Sequence, residues 1–120
     1  MANPSATPAS AAGTEILRRS FKIGLNATPY KIIDGVANHT YTLLSISFME
    51  TAGALERVYM KIATEASGND VFLINQDLPA NSTFIYNDKI MLWDTDELVV
   101  LMSGPADVDV YCTYIEQRWA

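Results

Sequence analysis

Residues 42–48 read Thr-Leu-Leu-Ser-Ile-Ser-Phe, and residues 56–62 read Glu-Arg-Val-Tyr-Met-Lys-Ile. In both stretches, apolar and polar side chains alternate. The apolar positions are Leu44, Ile46, Phe48, Val58, Met60 and Ile62. Successive side chains of a β-strand point to opposite faces, so a period of two is typical of a strand with one buried face. The two stretches therefore predict half-buried β-strands.

The rest of the chain continues this pattern. Residues 107–114 alternate in the same way, whereas residues 89–93 and 97–102 are continuously apolar, as expected of strands covered on both faces. Turn sequences rich in Gly, Pro, Asn and Asp separate the runs at intervals of about 8–12 residues. Residues 14–25 fit a helix or a strand, and we favour a strand from about Ser20 onward. Such a chain predicts an antiparallel β-sandwich or barrel.

The N-terminal arm, defined as residues 1–14, differs in composition from the rest of the chain. It contains no charged and no aromatic side chain. Ala, Pro and Ser bury too little apolar surface to offset the entropy that is lost on ordering them. Pro4 and Pro8 would also interrupt pairing within a central strand. The sequence therefore predicts an arm over residues 1–14 and one domain over residues 15–120.

Composition and charge exclude several classes of protein. The chain has 120 residues, of which 49% are hydrophobic and 18% charged, as expected of one folded domain. Neither a signal-peptide pattern nor an apolar run of about 20 residues is visible, so we expect no membrane contact. Residues 1–33 carry a net charge of +3 and residues 34–120 carry −9. The acidic body argues against nucleic-acid binding, and the basic stem suits docking onto acidic neighbours, including copies of the chain itself.

Few residues are candidates for chemistry. His39 and Cys112 are the only histidine and the only cysteine, and neither lies in a catalytic motif. Cys112 falls on the apolar face of its strand, which predicts a buried structural thiol. One His and one Cys do not complete a four-ligand zinc site. We expect no enzymatic activity, no cofactor and no metal, although Asp94, Asp96 and Glu97, joined by Asp107 and Asp109 across a hairpin, could hold calcium.

Two functions of other classes stay open. A module that binds carbohydrate or a receptor would expose Tyr59, Tyr86 or Trp93 as a coplanar aromatic platform. A small hydrolase would place His39 within hydrogen-bonding reach of a Ser or Cys side chain.

The succession of strands and turns over residues 38–116 resembles a known type of protein. It consists of residues 38–46 (NHTYTLLSI), a hairpin with one glycine, and residues 57–62 (RVYMKI), 78–83 (LPANST), 89–100 (KIMLWDTDELVV) and 108–116 (VDVYCTYIE). It resembles the small all-β virion proteins of tailed bacteriophages, among them capsid decoration or cement proteins and some tail or neck modules.

The resemblance implies an all-β, jelly-roll-like antiparallel sandwich of about eight strands with an extended N-terminal arm. It also implies a structural role: such proteins sit on the outer shell as dimers or trimers and extend an arm onto a neighbour. We therefore expect a non-enzymatic cement protein that is assembled in the host cytoplasm into the virion. Its expected partners are the major capsid protein or other virion proteins and itself, and a tail, neck or fibre module is the alternative. The expected contact residues are Pro4, Pro8, Ile16, Leu17, Arg18 and Arg19.

Overall fold

Nine β-strands and no helix make up residues 13–64 and 68–119, the parts of the chain that the computed structural model describes. The strands are β1 (Glu15–Leu25), β2 (Tyr30–Asp34), β3 (His39–Glu50), β4 (Glu56–Thr64), β5 (Asn69–Leu78), β6 (Thr83–Tyr86), β7 (Ile90–Trp93), β8 (Glu97–Met102) and β9 (Val108–Arg118). The ambiguous N-terminal stretch is thus a strand from Glu15 onward.

The strands form two antiparallel sheets. One sheet has the order β1-β9-β3-β6, with β7 also paired to β3, and the other has the order β2-β8-β4-β5. This is the connectivity of a jelly roll in which the two short strands β6 and β7 together occupy one strand position. The predicted all-β, jelly-roll-like antiparallel sandwich is confirmed, and the barrel that the strand pattern left open is excluded.

The core lies between the inner faces of the two sheets. The predicted inward residues of β9, which are Val108, Val110, Cys112 and Tyr114, are all buried there. Phe48, Met60 and Ile46 are also fully buried, as their alternation predicts. Burying each large apolar side chain stabilises the fold by about 1.5–3 kcal/mol relative to leaving it exposed.

Two predicted positions are wrong in detail. Leu44 was expected in the core, but a β-bulge between Leu43 and Ser45 shifts the register, so Leu43 is buried and Leu44 only half-buried. A bulge adds one residue to a strand and changes which face the later residues take. Residues 89–93 were expected to be covered on both faces, yet Met91 is 61% exposed on the outer face of its sheet.

The buried carboxylate of Glu50 holds the turn between β3 and β4. It accepts hydrogen bonds from the backbone N–H groups of Ala52, Gly53, Ala54 and Asn81 at 2.7–3.1 Å. The hairpin predicted around Gly53 is wrong, because β3 and β4 belong to different sheets and this turn carries the chain between them. Burial on its own raises the pKa of the Glu50 carboxyl, but the four N–H donors outweigh it and the pKa is lowered.

We predict that Glu50→Gln lowers the urea midpoint of unfolding at pH 7. A carboxyl whose folded pKa is depressed contributes stability that is complete above its unfolded pKa of about 4.3 and is lost as the pH falls through the folded pKa. The difference between the wild type and Glu50→Gln should therefore shrink as the pH drops below about 4. Exposed Glu15 gives the matched control, Glu15→Gln. A difference that stays constant from pH 7 to pH 2.5 would contradict this role for the charge.

Candidate interaction surface

The outer face of the five-stranded sheet carries a group of apolar side chains, which we call the β1–β9 patch: Leu17, Phe21, Ile23 and Tyr111, which are exposed, and Ile115, which is half-buried. Leu17 pairs with Ile115 and Phe21 pairs with Tyr111 in the register of β1 and β9, so each pair lies on one face. Leu17 is 58% exposed and Ile23 is 71% exposed. Soluble proteins rarely expose contiguous apolar patches without a partner, so this patch is a candidate contact surface.

An open groove of about 360 Å³ adjoins the patch. It lies where β1 leaves its register with β9, between Lys22 and Leu25. The Gly24 N–H donates a hydrogen bond to Asp109 Oδ1 at 3.3 Å within this irregular stretch. The lining residues are Arg19, Phe21, Lys22, Ile23, Ser47, Met49, Asp109, Val110 and Tyr111. The groove is therefore mainly apolar, with charges of both signs at its rim.

Two tryptophans stack at the opposite end of the same sheet. The ring centroids of Trp93 and Trp119 are 4.8 Å apart and their planes differ by 13°. Both rings are about half exposed. Tyr59 and Tyr86 lie elsewhere in the fold, and both are half-buried rather than exposed. Of the three residues predicted for an aromatic platform, Trp93 alone is thus exposed, and its stacking partner Trp119 was not predicted.

Arg18 lies in the interior, although the sequence predicted a contact with a partner. Its Nε donates a hydrogen bond to Glu116 Oε1, and both side chains are at least 96% buried. Nε2 of His39 lies 3.4 Å from the other oxygen of Glu116, and Nδ1 of His39 lies 2.8 Å from the Ala37 carbonyl oxygen. The Nη2 atom of Arg18 has no hydrogen-bond partner among the described residues. Arg18 could meet a partner only by leaving this cluster.

Two buried tyrosines flank the Arg18–Glu116 pair. The rings of Tyr41 and Tyr114 lie 6.0 Å apart. The Tyr41 hydroxyl accepts a hydrogen bond from the Val36 N–H at 2.8 Å. Burial is the main cause that raises the pKa of both phenols to about 12, with a smaller contribution from the Glu116 charge. Both tyrosines therefore stay neutral around the ion pair at physiological pH.

Cys112 is buried in β9, as its position on an apolar face predicted. Burial raises the pKa of its thiol to about 12. The thiolate is the reactive form of cysteine, so Cys112 is inert as a nucleophile at neutral pH.

The carboxylates of the predicted acidic cluster, Asp94, Asp96 and Glu97, have hydrogen-bond or ion-pair partners within the protein. The carboxylates of Asp94 and Asp96 each accept a hydrogen bond from a backbone N–H group, at 2.7 and 3.3 Å. Glu97 forms an ion pair with Lys31 at 2.7 Å. In the parts of the chain that the structure describes, no three His, Cys, Asp or Glu residues are grouped so that they could hold a metal ion.

The predicted approach of Asp107 and Asp109 to this cluster is wrong. The backbone N–H of Asp94 donates to the His39 carbonyl, and His39 pairs with Arg118 at the end of β9. Asp107 precedes the start of the same strand. Since a strand rises about 3.3 Å per residue, the two acidic groups lie roughly 30 Å apart.

The predicted contact residues separate into three groups. Pro4 and Pro8 lie outside the described residues. Leu17 and Arg19 are exposed on the outer face of β1, whereas Ile16 is half-buried and points toward the other sheet. The arm enters the fold at its last two residues: the Gly13 N–H donates to the Arg118 carbonyl, and the Arg118 N–H donates to the Thr14 carbonyl.

The sequence missed the exposure of Phe21 and Ile23. Phe21, Ile23 and Leu25 occupy alternate positions, which share one face in a regular strand, yet Leu25 is fully buried and the other two are exposed. The β-bulge between Lys22 and Leu25 separates them, so that Phe21 and Ile23 face outward. Gly24, with a φ of +72°, marks this bulge and is the signal in the sequence that could have revealed it.

Comparisons with known proteins reveal the architecture only. No protein-family model and no curated protein matches the sequence. The fold matches a protein of the Bacillus endospore appendages, a family of disulfide-linked pili, with a TM-score of 0.57 and 13% identity over 96% of this chain and 97% of that one. It also matches a chain of the acidic stable capsid of the Helicobacter pylori bacteriophage KHP30, with a TM-score of 0.59 and 11% identity over 92% of both chains. A chain of infectious bursal disease virus, Gx strain, matches with a TM-score of 0.54 and 7% identity over 92% of this chain and 35% of that one.

At sequence identities of 7–13%, these structural matches show a shared all-β sandwich fold and nothing further. Within the described residues, no helix has the length and apolarity that crossing a membrane requires.

We predict that Arg18→Met lowers the free energy of unfolding by about 3–5 kcal/mol, because it leaves the buried Glu116 carboxylate without its cation. Urea unfolding at pH 7 measures the change. Arg19→Met is the matched control, since the exposed neighbour should change stability by no more than about 0.5 kcal/mol. Equal effects of the two substitutions would show that the buried pair does not contribute as described.

Cys112 gives a second test of this interior. We expect a thiol reagent at pH 8 to modify the folded protein far more slowly than the urea-unfolded protein, because the thiol is buried and protonated. The unfolded sample is the internal control for reagent quality. Rapid modification of the folded chain would contradict the described packing of β9.

Proposed function

We propose that this chain is a capsid cement or decoration protein of a tailed bacteriophage. It binds the head shell through its N-terminal arm and the edges of its sandwich, and it stabilises the shell without catalysing a reaction. Its partners are the major capsid protein and further copies of itself, as a dimer or trimer. It resides in the virion after assembly in the host cytoplasm.

The β1–β9 patch is the observation that carries this proposal. Leu17, Phe21 and Ile23 project from β1, and β1 follows directly from the arm. Arm and patch are therefore continuous in the chain and can be covered together by one neighbour. Contiguous exposed apolar side chains are typical of contact surfaces between proteins.

The fold likenesses support an assembly role. A capsid chain of bacteriophage KHP30 and a pilus protein of Bacillus endospores match this chain over nearly their whole length. A pilus and a capsid are both assemblies of many subunits. The sequence resemblance to decoration proteins directs the proposal to the phage head among such assemblies.

The candidate catalytic residues support a non-enzymatic role. Cys112 is buried with its pKa raised to about 12, and His39 is held between the Ala37 carbonyl and Glu116 in the interior. The net charge of −6 favours protein partners over nucleic acid.

A tail, neck or fibre module that binds a neighbouring virion protein or host carbohydrate is the second candidate. The stacked, half-exposed Trp93 and Trp119 favour it, since flat aromatic surfaces suit the apolar faces of sugar rings. Glycan binding by the wild type that is lost in Trp93→Ala, together with no sedimentation of the wild type with phage heads, would select this candidate over the first.

The decisive experiment measures occupancy on phage heads that lack this protein. We expect the wild type to sediment with the heads. Deletion of residues 2–12, or the double substitution Phe21→Ser and Ile23→Ser, should lower occupancy at least about tenfold, since each removes a contact worth more than about 1.4 kcal/mol. The deletion spares Gly13 and Thr14, which bond to β9.

Leu55→Ser is the matched control, because Leu55 is 64% exposed in the turn between β3 and β4, away from the patch. Circular dichroism verifies that each variant keeps its sheet structure. Full occupancy by both the deletion and the double variant would refute the proposed role of the arm and the patch.

A further inference from the structure

Strand β5 forms a long edge of its sheet. Its ten residues, Asn69–Leu78, pair with β4 on one side, and β4 is the only described strand beside it. A strand directs about half of its backbone N–H and C=O groups to each side. One side of β5 therefore offers a row of hydrogen-bonding groups to a further strand.

The side chains of β5 favour such an addition. Val71 and Phe72 are 49% and 60% exposed, which is unusual for apolar residues of an edge strand. Its two charged residues are paired with β4: Asp70 with Lys61 at 2.9 Å and Asp77 with Arg57 at 2.8 Å. The edge thus exposes two apolar side chains and has its two charges paired, and it suits an uncharged strand.

The arm has the sequence of an uncharged strand with two different faces. Residues 2–8 read Ala-Asn-Pro-Ser-Ala-Thr-Pro, so small apolar residues stand at even positions and polar residues at odd positions. Alternation with a period of two is typical of a strand with one covered face. Val71 and Phe72 are consecutive, so their side chains point to opposite faces of β5. Whichever face of the sheet the apolar side of the arm takes, it therefore lies on the same face as one of these two residues.

The two prolines of the arm are compatible with pairing on one side. Residues four apart in a strand direct their backbone groups to the same side. Pro4 and Pro8 therefore both lack an N–H on the same edge, and Asn3, Ser5 and Thr7 present theirs on the other. Proline is tolerated on the outward side of an edge strand. The arm can pair on one side only, so it would end the sheet that it joins.

Its own β5 is a poor partner for the arm. Strand β1 lies against β2, and β5 is the third strand beyond β2 in its sheet. Crossing three spacings of about 4.8 Å and the gap of about 10 Å between sheets would use roughly seven extended residues of the arm. About five of residues 1–12 would remain for pairing, fewer than the ten residues of β5.

The other edges fit less well. Strands β6 and β7 have four residues each and β2 has five. Strand β1 is long, but its flank contacts β2. Both β1 and β5 contain a bulge, which lies at Leu73 in β5, so the bulges do not distinguish the two edges.

We propose that residues 1–12 of one copy bind as an additional strand along the β5 edge of a second copy. This rests on the proposed function only in taking the arm as a contact element, and it names the contact: strand addition between identical subunits. An arm that leaves one subunit and completes the sheet of the next links copies into a ring or a row.

A pair of proline substitutions tests the pairing. Sedimentation equilibrium of the full chain, without phage heads, should show concentration-dependent association. Thr7→Pro removes an inward N–H and should weaken association about tenfold or more, whereas Ala6→Pro removes an outward one and should change it less than about threefold. A monomeric wild type, or equal effects of the two prolines, would overturn the proposal. Equal effects would indicate binding of the arm as a polyproline helix instead.

A second pair of substitutions tests the edge. Phe72→Lys on β5 should weaken association by about tenfold or more, while Met91→Lys, similarly exposed on the other sheet and outside the β1–β9 patch, should leave it unchanged. The reverse result would overturn the assignment to β5.

These measurements use the isolated protein, so they separate the two proposals. If the protein associates in a way that depends on Thr7 and Phe72 but does not bind phage heads, the strand addition is supported and the cement role is rejected. If the protein binds phage heads but stays monomeric in isolation, the cement role is supported and the strand addition is rejected.

Discussion

The fold depends on the pairing of β9 with two partners, β1 on one side and β3 on the other. This arrangement brings Glu15 beside Gln117 and His39 beside Arg118, so the two ends of the described chain lie in one sheet. The inward side chains of β9 also provide Glu116, which neutralises Arg18 from 98 residues away. Residues distant in sequence must meet before this sheet exists, and such non-local pairing makes folding slow.

The local pattern of the sequence predicts the strands well and their faces less well. Alternation along residues 107–114 places Val108, Val110 and Cys112 in the core, where they are found. It misplaces Leu44 and Ile23, because bulges shift the register after Leu43 and after Lys22. A bulge depends on how two strands pair across the sheet, and one strand's sequence does not contain that information. Choosing a sandwich over a barrel needs the same non-local knowledge.

The candidate surface, too, is only partly predictable from the local sequence. Leu17 and Arg19 are exposed as the sequence suggested, but Arg18, between them, is buried. Nothing near Arg18 in the sequence indicates its partner, since Glu116 belongs to the last described strand. Of Arg18 and Arg19, only Arg19 therefore lies at the surface of β1. In the proposed docking, apolar contacts by Leu17, Phe21 and Ile23 replace charge as the main physical basis, so binding through this face should be less sensitive to salt than binding through a basic stem.

The stacked tryptophans have a practical consequence. Trp93 and Trp119 are the only tryptophans of the chain, and they lie at the end of the sheet where Gly13 bonds to Arg118. All of the near-ultraviolet absorption by indole thus comes from one stacked pair at the point where the arm joins the domain. Exciton coupling between the two rings depends steeply on their separation. The intrinsic circular dichroism of the protein is therefore a built-in optical reporter of events at the root of the arm.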